Sequence, residues 1–358
     1  MIDYDIRIKA AAVQAEPVWF DADATIGKSI DLIAEAARHG ADLIAFPEIF
    51  VPGYPWQLWV TDQTSAAGRV KRYLANGMQL GDARMRRIMA AARDHGIHVV
   101  MGYVEIAGSS AYMSQMFVDD RGNLVGNRRK LKPTHVERGI FGDGNGSDLQ
   151  VWPSRIGRIG ALNCWEHFQP LERFTLAALH EQIHVASWPS FASTRPDGLY
   201  LGRIEPNEAA TRLHAIETGS FVLCATQVTS QSALDAIAGE DPVQRGLIGE
   251  GGGFARIFHP TGMDMAKQLS AHEEGIVYAD LDLNDILAAK SFIDIVGQYS
   301  RPDVFDLRVD VSTNPWLTTH GGAAAPGPAS PAVPAPGAPG AAPRIDAEAP
   351  PPLLTPED

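Results

Sequence analysis

A layered fold that mixes helices and strands, α/β or α+β, is what this sequence predicts, and three observations carry it. Short apolar runs of strand length alternate with longer runs of helical period from about residue 6 to residue 295. Two of the helical runs stop at glycines, Gly40 and Gly96, where a left-handed terminal residue is easiest to place. No linker-like change of composition occurs before residue 310, so residues 1–310 read as one domain and 311–358 as a Pro- and Ala-rich tail.

The elements follow in order. IKAAAVQA (8–15) predicts a first strand, and IGKSIDLIAEAARHG (26–40) a helix with Ile30, Ile33, Ala34 and Ala37 on one face. ADLIAFPE (41–48) reads as a buried strand. ARMRRIMAAARDHG (83–96) is helical and HVVMGYVEI (98–106) a strand. AYMSQMFVDD and NLVGNRRKL then flank the turn residues Asp120, Arg121 and Gly122, as in a hairpin. RIGALNC (158–164), HVASWPS (184–190) and SFVLCATQV (220–228) are further strands, separated by helices at about 171–182 and 206–218. ARIFHP and GIVYADLDL add a final pair of strands before a helix at about 283–294. Beyond His320 there are almost no large apolar residues to offset the entropy of ordering, so a disordered or polyproline-like tail is expected.

Charge and cysteine usage exclude several classes. A net charge of -13 speaks against a nucleic-acid surface, because phosphate contacts need clustered Lys and Arg. NRRKLK (127–132) is the one dense basic run. Cys164 and Cys224 cannot frame a disulfide scaffold in a chain of 358 residues, the N-terminus has no cationic and apolar leader, and no apolar stretch is long enough to span a membrane. A reducing cytoplasm is the expected setting, with no membrane partner.

Strand ends hold the candidate chemistry, because a rigid sheet fixes the loops that leave it. Glu48, Lys130 and Cys164 each close a predicted strand. Brought together, a carboxylate would take the thiol proton and an ammonium would stabilise negative charge on a substrate. Each has a plainer reading. Cysteine is among the most buried residue types, which suits Cys224 inside FVLCATQV; Lys130 and Lys132 could belong to a solvated edge; Glu137, in KPTHVERGIFGDG, could be a surface carboxylate. Cys164 differs in being followed at once by polar residues in a turn that opens a helix, where N–H groups would lower its pKa. Cys164 and His167 have a C-x-x-H spacing but lack a second ligand pair, so no metal site is expected. Tyr54, Trp56 and Trp59 follow Glu48 closely enough to line an apolar pocket. GEGGGF (249–254) lacks the Lys-Ser or Lys-Thr of a phosphate cradle and reads as a flexible loop.

FPEIFVPGYPW, RRKLKPTHVER and GALNCWEHFQP resemble the three signature blocks of the nitrilases, a branch of the carbon-nitrogen hydrolase superfamily, and the likeness extends over about residues 6–306. The resemblance implies a four-layer αββα sandwich that dimerises to αββααββα and assembles further into spirals or filaments. It implies Cys164 as nucleophile, Glu48 as general base and Lys130, directly after the arginine pair, as support for the tetrahedral intermediate. It also implies Glu137 as the carboxylate that orients lysine and substrate. Trp165, His167 and Trp188 join Tyr54, Trp56 and Trp59 as candidate substrate-binding residues. The expected reaction takes an organic nitrile, aromatic or aliphatic, to carboxylic acid and ammonia without metal or organic cofactor. A cyanide-hydrolysing enzyme or an amidase of the same superfamily is the nearest rival. An inactive filament-forming scaffold would have no chemical reason to keep all three groups. A Cys-His hydrolase with His167 as base would need that residue to face a nucleophile three positions away.

Overall fold

The computed structural model describes residues 2–60, 67–194 and 200–313. The expected tail lies, from residue 314 onward, outside the described residues. In chain order the elements are β1 (Arg7–Ala15), α1 (Ala22–Arg38), β2 (Leu43–Ala45), α2 (Gln57–Val60), α3 (Ala67–Ala75), α4 (Ala83–His95), β3 (His98–Ala107), β4 (Ser110–Val118), β5 (Leu124–Arg129), β6 (Trp152–Ser154) and β7 (Gly157–Asn163). Then come α5 (Pro170–Ala178), β8 (Ile183–Trp188), α6 (Ile204–Thr218), β9 (Phe221–Gln227), α7 (Gln231–Ala238), α8 (Pro242–Ile248), β10 (Arg256–Phe258), β11 (Gly275–Asp282) and α9 (Asp285–Phe292). Among the described residues no helix is long and apolar enough to cross a membrane.

The strands run β5-β4-β3-β2-β1-β9-β8-β7-β6, with β11 on β1 and β10 on β9. β1 and β9 touch only at Gln14 with Thr226 and Ala15 with Gln227, so the sheet divides there into two halves. Strand alternation then builds the layers. On β1, Ala11 and Val13 pack outward with Ile26 and Ile33 of α1 and Met85 and Ile88 of α4. Ala10 and Ala12 point the other way, into a core shared with Val185, Leu223 and Ile159 of the second half. The outer face of that half packs Leu162 against Leu176 of α5 and Val222 against Ala215 of α6. The result is the αββα sandwich.

Local signals account for the ends of the elements. Asp21 caps α1 by accepting from Ala24 N, Asp82 caps α4 by accepting from Met85 N, and α4 stops at Gly96 with φ 63°. The predicted strand 41–48 is cut to Leu43–Ala45, since Pro47 has no N–H to pair and Ile49 turns the chain at φ 41°. The last two strands do not pair with each other, each going to a different half. The short helices α2, α3, α7 and α8 and the three-residue β6 went unforeseen, being too brief for their periods to register.

Candidate active site

Glu48, Lys130 and Cys164 leave the sheet just past the ends of β2, β5 and β7, and the fold brings these ends together. Gly102 on β3 makes room for the first, because a Cβ there would sit 2.4 Å from Pro47 O and 2.5 Å from Ile49 N. Gln227, at the end of β9, holds the same turn by donating Nε2 to Glu48 O at 2.7 Å. Three non-glycine residues of the site have left-handed backbones: Ile49 beside Glu48 (φ 41°), His135 before Glu137 (φ 43°) and Cys164 itself (φ 49°). Strain of this kind concentrates where the surrounding structure fixes functional groups.

Lys130 Nζ is fully buried and donates to Glu48 Oε1 at 2.8 Å and to Glu137 Oε2 at 2.9 Å. Burial works against its charge, but Glu137 and Glu48 outweigh burial and hold the ammonium above its ordinary value. One ammonium shared by two carboxylates leaves Glu48 under-compensated. Burial, opposed by Lys130 and aided by Glu137, pushes it up to about 8. Its second oxygen, Oε2, has no hydrogen-bond partner among the described residues. Glu137 is held further by Thr134 N and by the Tyr54 hydroxyl, which accepts from Trp59 Nε1 at 3.1 Å. Strand alternation sends Arg129, between Arg128 and Lys130, to the opposite face, where it pairs with Glu105, and Lys132 lies past the end of β5. Arg128 and Lys130 are buried, whereas Lys132 pairs with Asp143 at the surface, so the solvated-edge reading fits only Lys132.

Cys164 opens a 3-10 helix, Cys164–Phe168, directly after β7. The expectation of a lowered thiol pKa is reversed. Burial pushes the thiol well above its ordinary value, with Glu48 adding, Lys130 opposing and the backbone N–H of Trp165 opposing only weakly. Such a thiol needs a base before it can act. Cys224 is buried in β9 behind it, with its thiol directed at Phe254 O, 3.8 Å away.

A cavity of about 60 Å³ opens on Cys164, walled by Tyr54, Trp56, Trp59, Trp165, Thr134, Phe191, Ser193, Gly202 and Leu247. Trp59 stacks on His135 and meets Trp165 edge-on, and Trp165 donates Nε1 to Asn207 Oδ1 at 3.1 Å. The wider surface grooves, about 360 Å³ each, lie along α6 and beside Arg7 and Asp282, away from the thiol. GEGGGF packs against this wall: a Cβ on Gly249 would sit 1.8 Å from Ala192 O and one on Gly252 2.6 Å from Phe191 N. Phe191, Ser193 and Leu247 carried no motif and went unread.

His167 and Trp188 do not line the cavity. They lie behind it, fully buried and stacked on each other at 4.8 Å. His167 Nδ1 donates to Cys164 O at 2.7 Å, and its Nε2 meets His184 Nε2 at 3.0 Å. Neither nitrogen faces the thiol, which removes a Cys-His arrangement. Glu181 ties His184 Nδ1 (2.7 Å) to His214 Nε2 (2.9 Å), and these groups are close enough to hold a metal ion. The His184 and His214 rings, however, stack at 3.6 Å, so their lone pairs run side by side rather than converging.

The family model described as carbon-nitrogen hydrolase matches residues 9–291. The chain is 50% identical over 310 residues to an aliphatic nitrilase of Rhodococcus rhodochrous, covering 86% of this chain and 84% of that one. It is 45% identical over 312 residues to a bromoxynil-specific nitrilase of Klebsiella pneumoniae subsp. ozaenae, covering 87% of each. An arylacetonitrilase of Aspergillus niger is 42% identical over 85% of this chain and 92% of its own. Among solved structures, a carbon-nitrogen hydrolase of Helicobacter pylori superposes with TM-score 0.64 at 18% identity, over 85% of this chain and 98% of that one. A nitrilase-superfamily protein of Saccharomyces cerevisiae gives the same TM-score at 16% identity, over 82% and 97%.

Proposed function

The chain belongs to the carbon-nitrogen hydrolase family, in its nitrilase branch, and hydrolyses nitriles; we propose that it does so through Cys164, Glu48, Lys130 and Glu137. The observation that supports these roles best is the buried Lys130 ammonium, shared by Glu48 and Glu137 beside the one thiol that opens on a cavity.

In this reading Glu48 Oε2 accepts the Cys164 proton as Sγ bonds to the nitrile carbon. The nitrile nitrogen takes up that proton, giving a thioimidate. Water adds with Glu48 again as base, and Lys130 steadies the charge of the tetrahedral adduct. The C–N bond breaks, ammonia leaves, and a thioester remains on Cys164. A further water cleaves the thioester to the carboxylic acid and restores the thiol. Glu137 fixes Lys130 and, through Tyr54, the aromatic wall. Trp165, held by Asn207, limits how the adduct can sit, so acid is the main product and amide a minor one.

The aromatic wall favours aromatic or larger aliphatic nitriles over free cyanide, since a small ion gains little from apolar surface. The relatives named aliphatic nitrilase, bromoxynil-specific nitrilase and arylacetonitrilase support an organic substrate. Self-association belongs to the same reading, supported by Leu171 on α5 and Leu213 and Ile216 on α6, all exposed on the outer helical layer. Two free thiols support a cytoplasmic setting. Ammonia release across a panel of nitriles, amides and cyanide tests the substrate class. Cyanide turnover with none on organic nitriles would contradict it. Cys164→Ala should be inactive throughout while Cys224→Ala stays within a few fold, because only the former thiol opens on the cavity.

A further inference from the structure

We propose that Glu166 is a positioning residue, a buried carboxylate clamp that sets the separation of Lys130 from Cys164 by holding the backbone next to each. The proposal rests on the catalytic roles given above. Glu166 Oε1 accepts from Leu131 N at 2.7 Å, and Oε2 accepts from Asn163 N at 2.7 Å. Leu131 follows Lys130, and Asn163 precedes Cys164. One carboxylate thereby joins the exit of β5 to the exit of β7, strands that lie in different halves of the sandwich.

Arg128 locks the clamp. Its Nη1 and Nη2 donate to Glu166 Oε2 and Oε1 at 2.9 and 2.7 Å, a bidentate pair buried at both ends. Nη1 also donates to Gln115 Oε1, Gln115 Nε2 donates to Ser187 Oγ, and Ser187 Oγ donates to Phe46 O, at 2.8, 2.9 and 2.9 Å. Phe46 leads into Glu48. The chain of bonds therefore reaches the exits of β2, β5 and β7, from which Glu48, Lys130 and Cys164 project. Burial opposes the charge of Glu166, yet Arg128 and the Asn163 and Leu131 N–H groups hold it below the usual carboxylate range. Glu172 alongside is pushed up to about 9 by burial and by Glu166, so it stands neutral and does not compete for Arg128.

A carboxamide cannot reproduce this. Glu166→Gln puts an NH₂ group against a backbone N–H or against Arg128, so one strand exit is released. A displacement of about 1 Å at such a site costs on the order of 100-fold in rate. The test measures kcat and KM for ammonia release with Glu166→Gln, with Arg128→Met/Glu166→Gln, which removes both buried charges if the single variant fails to fold, and with Ile33→Ala as a core variant far from the site. The proposal expects kcat to fall by about 100-fold with KM within about 3-fold in folded Glu166 variants, while Ile33→Ala keeps kcat at a similar melting temperature. Near-normal kcat in either Glu166 variant, or an equal loss in Ile33→Ala, would overturn the clamp. Cys164→Ala, run alongside, reports separately on the nucleophile: turnover there would overturn the catalytic reading and leave the Glu166 result to stand by itself.

Discussion

At the scale of residues, burial distributes charge unevenly among a few groups of the site. Lys130 is buried between Glu48 and Glu137, whereas Lys132 is exposed beside Asp143. Lys130→Ala should lower kcat/KM by about 10²- to 10³-fold, the cost of one preorganised stabilising group. Lys132→Ala should stay within a few fold, and equal losses would undo the distinction. The pH dependence follows from Glu48. Its carboxyl, pushed up to about 8, holds its proton below that pH and cannot act as base, so kcat/KM should rise with pH through an apparent pKa near 8. A flat profile between pH 6 and 9 would show that Glu48 is already ionised or is not the base.

At the scale of elements, the positions of Glu48, Lys130 and Cys164, the proposed catalytic groups, depend on how closely neighbouring strands and turns approach. Gly102→Ala would drive a methyl into Pro47 O and Ile49 N and displace Glu48 from Lys130. Overpacking of this kind costs about 1–3 kcal/mol, and activity should fall by at least about 10-fold, which thermal melts and kinetics together would measure. Unchanged turnover would mean that the turn adjusts without moving Glu48. The strand-end positions of Glu48 and Cys164 were legible because each follows an apolar run of strand length, and that of Lys130 because it closes the second arm of a hairpin signalled by its turn residues. The outward turn of Lys132 was not legible, because period-2 alternation would put it on the same face as Arg128 and Lys130; the strand ends at Arg129, before that position. His167 and Trp188 misled, since nearness in sequence to Cys164 says nothing about which side of the turn a side chain takes. Both fill the outer core beneath α6, and the cavity is walled instead by Phe191, Ser193 and Leu247. Gln227 and Asn207 act through contacts 179 and 42 residues away in the chain, which no local pattern announces.

At the scale of the whole molecule, the two halves meet along a shared core and a narrow β1–β9 link, and the site lies where the strand ends of both halves converge. The four layers came from the family resemblance, because Ala10, Ala11, Ala12 and Val13 are all apolar and do not tell one face from the other; the division of the sheet was not legible, because it depends on where β1 leaves β11 for β9. Ending the chain after His320 should leave kcat and KM within about 2-fold, since a Pro- and Ala-rich segment has little apolar surface to dock. A collapse of activity would place the tail on the body or on a neighbouring copy. Covalent chemistry at Cys164 is tested by mass spectrometry of enzyme quenched in acid during turnover of a good nitrile. The account predicts an added acyl or imidoyl group on the peptide carrying Cys164 and none on the peptide carrying Cys224. Full turnover with Cys164 unmodified, or an adduct on Cys224, would contradict it.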